Sequence, residues 1–354
     1  MVNYITRFIG KFSRSIGIDL GTANTLVHVK GRGILLNEPS VIAIDKDTGK
    51  VLSVGNEAKI MYGRTPNYIT ASRPLQAGVI ADFDQTLEML KYFIHQVSRV
   101  SGIFPAVCIG IPSGVTEVEE RAVREAAVKA GASDAFTIEE PHAAALGAGL
   151  PVEEAVGSMI VDIGGGTTEV AVMSLGGVVA CKSIRTGGDK VDDAILKYLK
   201  SEKSLHIGIK TAEEIKIKIG SAFKLDEEMK FEARGRDAVT GLPKAVTVSS
   251  EEIREAAVEY MNEIVETVKM TLEITPPELS SDIIESGIYL AGGGALIRGL
   301  DKLIQKETDI KVNIATDPLF CVVKGAARAI DEMDKSTVLK KVLMNASYRA
   351  DVLK

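Results

Sequence analysis

VDIGGGTTEV, residues 161–170, places an acid and three consecutive glycines at the end of an apolar run and follows them with two threonines. A strand that only packs a core gains nothing from this, because each glycine costs backbone entropy and buries no side chain. Bare backbone is useful where N–H groups must approach a ligand. Consecutive N–H groups aimed one way form a concave anion trap. The stretch therefore reads as strand, tight bend, strand, with the bend a candidate phosphate loop. A single loop of this kind is more often a plain turn.

The chain carries the pattern twice. SMIVDIGGGTTEVAVM (158–173) restates SIGIDLGTANTLVHVK (15–30), with Asp19 answering to Asp162, Gly21 to Gly164 and Thr25 to Thr168. Two like-built halves follow, the second starting near residue 152. Two facing loops would clamp a polyphosphate from both sides. An Asp at the end of each strand is too close to phosphate to touch it unaided, which calls for Mg²⁺ and its water shell between them. A third cluster, AGGGALIRGL (291–300), ends the strand-like GIYLAGGG (287–294) and stands at the mouth of an expected helix, whose N-terminus would face a phosphate. Neither GxxxxGK[ST] nor a strand–GxGxxG–helix unit with a following acid occurs.

Composition sets the wider bounds. The chain has 354 residues, enough for two cores, and no Trp, so those cores are built from aliphatic residues. Cys108, Cys181 and Cys321 lie far apart without a CxxC pair and read as buried residues of a reducing compartment. Four scattered histidines suggest no protein-built metal site. No apolar run reaches the roughly 18 residues of a membrane span, and the N-terminus lacks a signal-peptide core. The net charge of −6 is uneven: both ends are basic and the stretch between is acidic. A nucleic-acid binder would carry its basic stripe on the folded domain, so no nucleic-acid partner is expected.

Periodicity supplies the elements. Strands are expected over 15–21, 25–36, 40–45 and 106–112. Residues 85–100 read as a helix, with Leu87, Leu90, Ile94 and Val97 on one face and Asp84 as N-cap. A second helix, 116–130, opens on the capping box Thr116–Glu119. A long helix over 251–274 aligns Ile253, Ala257, Ile264, Val268 and Leu272, and Pro276 and Pro277 follow it.

IDLGTANT (18–25), IEEPHAAALGAGL (138–150), DIGGGTTEVAV (162–172), AEEIKIKIGSA (212–222) and AGGGALIRGL (291–300) closely resemble the MreB family of bacterial actins. The resemblance runs from about Ser15 to Asp334. It implies an α/β, actin-like two-lobed fold, shared with actin, heat-shock chaperone ATPases and sugar kinases, with duplicated cores and a nucleotide cleft. On that basis lobe I is 15–151 plus 318–335, with a small subdomain at about 36–82. Lobe II is 152–317, with a small subdomain at about 190–250.

The resemblance also implies ATP or ADP with Mg²⁺ as cofactors and slow ATP hydrolysis. Carried over residue by residue, Gly21, Thr22, Ala23 and Asn24 form the first phosphate loop. Gly164, Gly165, Gly166, Thr167 and Thr168 form the second. Asp19 and Asp162 bind the metal through water. Glu213, Glu214, Ile215 and Lys216, with Gly292, Gly293, Gly294 and Ala295, line the nucleoside. Glu140 and Thr167 are the hydrolytic pair. Glu140 ends a strand-like run and precedes Pro141, where a carboxylate orders an attacking water. On the residues alone a plain acid at a helix N-terminus is the preferred reading there, since 143–150 looks helical, and it is the resemblance that assigns the hydrolytic role. The chain departs from the family's habit at Lys190, where Arg is common and a bidentate fork is lost, and at Gln76-Ala77, where a Lys-Asp pair is usual.

MVNYITRFIGKFSR (1–14) sets Ile5, Phe8, Ile9 and Phe12 at helical spacing among Arg7, Lys11 and Arg14. It reads as a short basic amphipathic helix for an anionic membrane surface, and otherwise as a frayed tail or a helix docked on the body. Ile103 and Phe104 stand where the family has an exposed apolar loop, and fit a core equally. The tail 336–354 aligns Leu339, Leu343, Ala346, Ala350 and Leu353 beside Lys340 and Lys341, and is a second candidate contact. The family implies head-to-tail protofilaments paired antiparallel, cell-shape or motility proteins as partners, and a cytoplasmic place on the inner membrane face. A small-molecule kinase of the same fold is the alternative, though no insertion to hold a substrate is evident. A chaperone ATPase would need a further β-rich domain.

Overall fold

A computed structural model describes residues 15–76, 78–101, 105–344 and 348–349. The candidate membrane residues Ile5, Phe8, Ile9, Phe12, Ile103 and Phe104 lie outside them. Two compact units form: one from Met1–Ala155, Leu175–Gly177 and Phe320–Lys354, the other from Val156–Ser174 and Val178–Leu319.

In the first unit, β1 (Ile16–Leu20) and β2 (Asn24–Val29) make the expected hairpin, and β3 (Gly33–Pro39) pairs antiparallel with β2. A three-stranded sheet, β4 (Ile42–Asp45), β5 (Val51–Val54) and β6 (Ile69–Ser72), packs Val41 and Ala43 against Ala58 of the helix Asn56–Met61. A short hairpin, β7 (Leu75–Gln76) and β8 (Val79–Ile80), follows. Parallel strands β9 (Ala106–Ile111) and β10 (Asp134–Glu139) extend the large sheet beyond β1.

The helix Phe83–Ser101 buries Met89, Leu90, Phe93, Ile94 and Val97. Its start differs from expectation. The Asp82 carboxylate, not Asp84, accepts from the Gln85 N–H at 3.0 Å, and the Gln85 amide returns a bond to Asp82 at 2.7 Å. The cap therefore sits two positions upstream, where Gln85 can reciprocate. The helix Glu117–Lys129 begins on the expected Thr116–Glu119 capping box.

In the second unit the order repeats. β11 (Ser158–Ile163) and β12 (Thr168–Ser174) form the antiparallel hairpin, β13 (Gly177–Ile184) lies outside β12, and parallel β17 (Ile288–Ala291) and β18 (Val312–Ile314) extend beyond β11. Register repeats too, since Leu20 faces Thr25 as Ile163 faces Thr168. A separate sheet joins β14 (Leu205–His206), β15 (Lys230–Asp237) and β16 (Pro243–Ser249). The helix Ser250–Glu273 opens on a second capping box, Ser249–Glu252, and buries Ile253, Ala257, Ile264 and Val268. Ile274 caps its end, ahead of the two prolines.

After Phe320 the chain belongs to the first unit again, where the helix Cys321–Glu332 lies so close to β1 that a side chain on Gly17 would meet the Ala327 backbone. At Leu339 and Leu343 the tail then departs from the membrane expectation, while Ala346, Ala350 and Leu353 lie outside the described residues. Residues Thr337–Met344 form a helix capped by Ser336, whose hydroxyl accepts from the Leu339 N–H at 3.1 Å and donates to Glu153 at 2.9 Å. Leu339 and Leu343 are fully buried, and β19 (Tyr348–Arg349) pairs with β10. Apolar area already spent on a protein core is not available to lipid. Among the described residues no helix is long and apolar enough to cross a membrane.

Candidate functional site

Both hairpin bends are held from behind. In the first, the Ser40 hydroxyl donates to the Gly21 carbonyl at 2.6 Å and pairs with the Thr25 hydroxyl at 2.9 Å. The Ser40 N–H donates to the Ala23 carbonyl at 3.0 Å. A trans peptide points its C=O and the next N–H in opposite directions. Fixing the Gly21 carbonyl on Ser40 therefore turns the Thr22 N–H outward. The Thr22 side chain is itself engaged, its hydroxyl accepting from the Gly78 N–H of the β7–β8 turn at 3.0 Å.

In the second unit a turn, Gly187–Asp189, does the same work. The Gly188 N–H donates to the Gly164 carbonyl at 3.0 Å and the Asp189 N–H to the Gly165 carbonyl at 2.8 Å. By the same planarity the Gly165 and Gly166 N–H groups face away from that turn. The bend closes with the Gly164 N–H on the Thr167 carbonyl at 2.9 Å. Position 187 must be glycine on steric grounds, since an added Cβ would lie 2.6 Å from the Gly164 oxygen. Sequence reasoning missed Ser40 and undervalued 187–189. The paired glycines before Asp189 were the available signal.

Several expected ligand residues are otherwise occupied. Thr168 is fully buried and its hydroxyl donates to the Thr186 carbonyl at 2.6 Å, so it braces the hairpin instead of facing a phosphate. Ile215 is also fully buried, because the helix Ile209–Ile219 turns Ala212, Ile215 and Ile219 into the core. Its side chain cannot line a ligand site. Lys216 donates to Asp192 at 2.8 Å and to the Gly188 carbonyl at 2.9 Å. Glu213 and Glu214, on the same helix, are not part of that buried face.

The third glycine cluster does not open an α-helix. Residues Gly293–Leu296 form one 3₁₀ turn, and the helix proper starts at Leu300. Gly294 and Ala295 are buried. Gly292 has φ +77°, and a Cβ there would lie 2.6 Å from the Asp162 carboxylate. Glycine at 292 thus leaves room at the end of β11 for that carboxylate.

The acids are placed as follows. Asp162 is 5% exposed, and burial pushes its carboxyl up to about 7. Its Oδ1 has no hydrogen-bond partner. A buried oxygen left without a donor is costly unless a proton or a cation answers it. Asp19 holds the matching position in β1 and is half-buried. Glu140 is buried at the first position of the helix Glu140–Ala148, directly after β10, so both readings of the sequence meet there. Thr167 is buried at the last position of the second bend. Among the described residues no group of three His, Cys, Asp or Glu could hold a metal unaided.

The profile of the MreB/Mbl protein family matches residues 13–338. The chain belongs to the MreB/Mbl family. It is similar to the cell shape-determining protein MreB of Escherichia coli K12, with 53% identity over 93% of this chain and 97% of that one. Among solved structures it resembles MreB5 of Spiroplasma citri bound to ADP, at 40% identity and a TM-score of 0.87, over 92% of this chain and 99% of that one. An AMPPNP-bound form of that protein is equally similar, with a TM-score of 0.87. A MamK double helical filament, at 25% identity, gives a TM-score of 0.78 over 90% of this chain and 99% of that one. The fold of this MreB/Mbl chain is therefore actin-like, with a duplicated mixed α/β sheet, and the family is that of the bacterial cell shape-determining proteins.

Proposed function

We propose that this chain binds and slowly hydrolyses ATP and polymerises into filaments on the cytoplasmic face of the membrane, where they govern cell shape. The observation that carries the reading is the pair of like-built bends, each with its carbonyls tied back so that N–H groups are presented on the other side. Nucleotide-bound MreB5 and filamentous MamK, both similar to this chain, support nucleotide binding and self-assembly respectively.

In this reading the bends Gly21–Asn24 and Gly164–Thr167 hold phosphate oxygens through the outward N–H groups that begin at Thr22 and Gly165, the Gly164 N–H being kept for closing its own bend. Glu213 and Glu214, with Gly292 and Gly293, approach the nucleoside. The unanswered Asp162 oxygen fits a hydrated Mg²⁺, with Asp19 as the matching acid. When bound, Mg²⁺ neutralises charge on the phosphates. The Glu140 carboxylate orders the attacking water, and the Thr167 hydroxyl supplies a second hydrogen bond. Phosphoryl transfer asks for positioning and charge stabilisation, which these groups provide at a slow rate. The 1–14 segment supplies the membrane contact.

The test is direct. With ATP and Mg²⁺ the purified chain should sediment as filaments and release phosphate. Glu140→Ala should keep ATP affinity and lose most of the phosphate release. Release at the unaltered rate would remove Glu140 from the mechanism, and absence of ATP-dependent sedimentation would overturn the assembly claim.

A further inference from the structure

The second bend rests on a turn, and the turn rests on a buried ion pair. Lys216 reaches from the helix Ile209–Ile219 to the first residue of the helix Gly188–Glu202, where it donates to the Gly188 carbonyl at 2.9 Å. The same ammonium meets Asp192 Oδ2 at 2.8 Å. The Asp192 side chain is 2% exposed and that of Lys216 15%. Gly188 in turn donates to Gly164, and Asp189 to Gly165. Three contacts run from a buried carboxylate to the glycine bend, joining Asp192, Lys216, Gly188 and Gly164 in turn.

We infer that the Asp192–Lys216 pair is a strut that positions the second phosphate-binding bend, so that Lys216 acts on bound nucleotide through Gly188 and not by touching the nucleoside. The ligand in this statement rests on the proposed function; the strut itself does not. A buried ion pair is seldom a net source of stability, and an apolar pair of like volume usually replaces it without loss. Keeping one here is explained by direction, because an ammonium held by a buried carboxylate presents a donor at one point. Asp192 Oδ1 has no hydrogen-bond partner, so Lys216 is the group that answers this carboxylate.

The strut is also gated by protonation. Burial pushes the Asp192 carboxyl up to about 6, Lys216 opposes the rise, and the charges of Asp189 and Glu213 add to it. Above that pH the ionised carboxylate holds the ammonium; below it the neutral acid releases the charge attraction.

The experiment compares the native chain with the double variant Asp192→Leu/Lys216→Met, which keeps the core filled, and the single variant Asp192→Asn. The double variant should melt no lower than the native chain. Amide exchange at Gly188 and Asp189 should nevertheless speed up about tenfold, as expected for losing one charged hydrogen bond. ADP affinity should fall about tenfold with the ADP-to-GDP preference unchanged. Asp192→Asn should exchange faster than the native chain at pH 7.5 and match it at pH 5. Unchanged exchange at Gly188 and Asp189 in both variants overturns the strut. A changed ADP-to-GDP preference overturns it in favour of direct nucleoside contact. If the native chain binds no nucleotide, the proposed function fails while the exchange measurements still decide the strut.

Discussion

Gly187→Ala tests most directly whether the second bend is shaped by its neighbour. The backbone at Gly187 is extended, φ −158°, so alanine is conformationally acceptable there. The obstacle is contact. The new Cβ would lie 2.6 Å from the Gly164 oxygen and 2.7 Å from the Gly165 oxygen, and both are backbone atoms that cannot swing aside. Either the turn or the bend must retreat. Retreat breaks the bonds from the Gly188 N–H at 3.0 Å and the Asp189 N–H at 2.8 Å. At roughly 1 kcal/mol net each, the loss is about 2 kcal/mol. In a unit of this size that lowers the melting temperature by about 4–8 °C. If the whole cost falls on the ligand-ready bend, ADP affinity drops about 30-fold. Differential scanning calorimetry and titration with a fluorescent ADP measure both. Native melting together with native ADP affinity would show that 187–189 does not hold the bend.

Other predictions bear on other parts. Burial pushes the Asp162 carboxyl up to about 7 from an ordinary 3.8, so folding takes up a proton between those values. The stability this gives is present in full below about pH 4 and lost as pH rises through about 7. Asp162→Asn should remove that slope, and in metal-free buffer above pH 7 should gain up to about 4 kcal/mol over the native chain; parallel pH–stability curves would refute the burial argument. Ser40→Ala deletes the bonds to Gly21 and Thr25 and should cost about 1–2 kcal/mol in urea unfolding while weakening ATP binding; an unaffected ATP affinity would free the first bend from Ser40. Removing residues 1–14 should sharply reduce co-sedimentation with anionic liposomes and spare ATP binding, and undiminished co-sedimentation would reassign the segment.

Ser249→Ala offers a check on the local signals. Loss of the capping box at the long second-unit helix should cost about 1 kcal/mol, read by thermal unfolding. An unshifted melting curve would mean that packing along Ile253–Val268 alone sets that terminus.

The sequence by itself determined the hairpins, their duplication and the Thr116–Glu119 capping box, because each is a short-range pattern. A strand ending in Asp-x-Gly before another strand, or a Thr with Glu three residues on, carries its own instruction in neighbouring residues. The family's motifs extended that reading to the fold as a whole. What the tertiary structure alone decided is which way these parts are turned and what each polar group spends itself on. Ser40 reaches Gly21 across 19 residues, and Lys216 reaches Gly188 across 28. Thr168, read as a phosphate donor, gives its hydroxyl to Thr186, and Ile215 sits in the core. The glycines at 292–294 enter a 3₁₀ turn, and Leu339 and Leu343 of the tail are buried in the first unit. A hydrogen bond or buried contact between distant residues exists only once the chain has paid the entropy of bringing them together, so no local pattern encodes it.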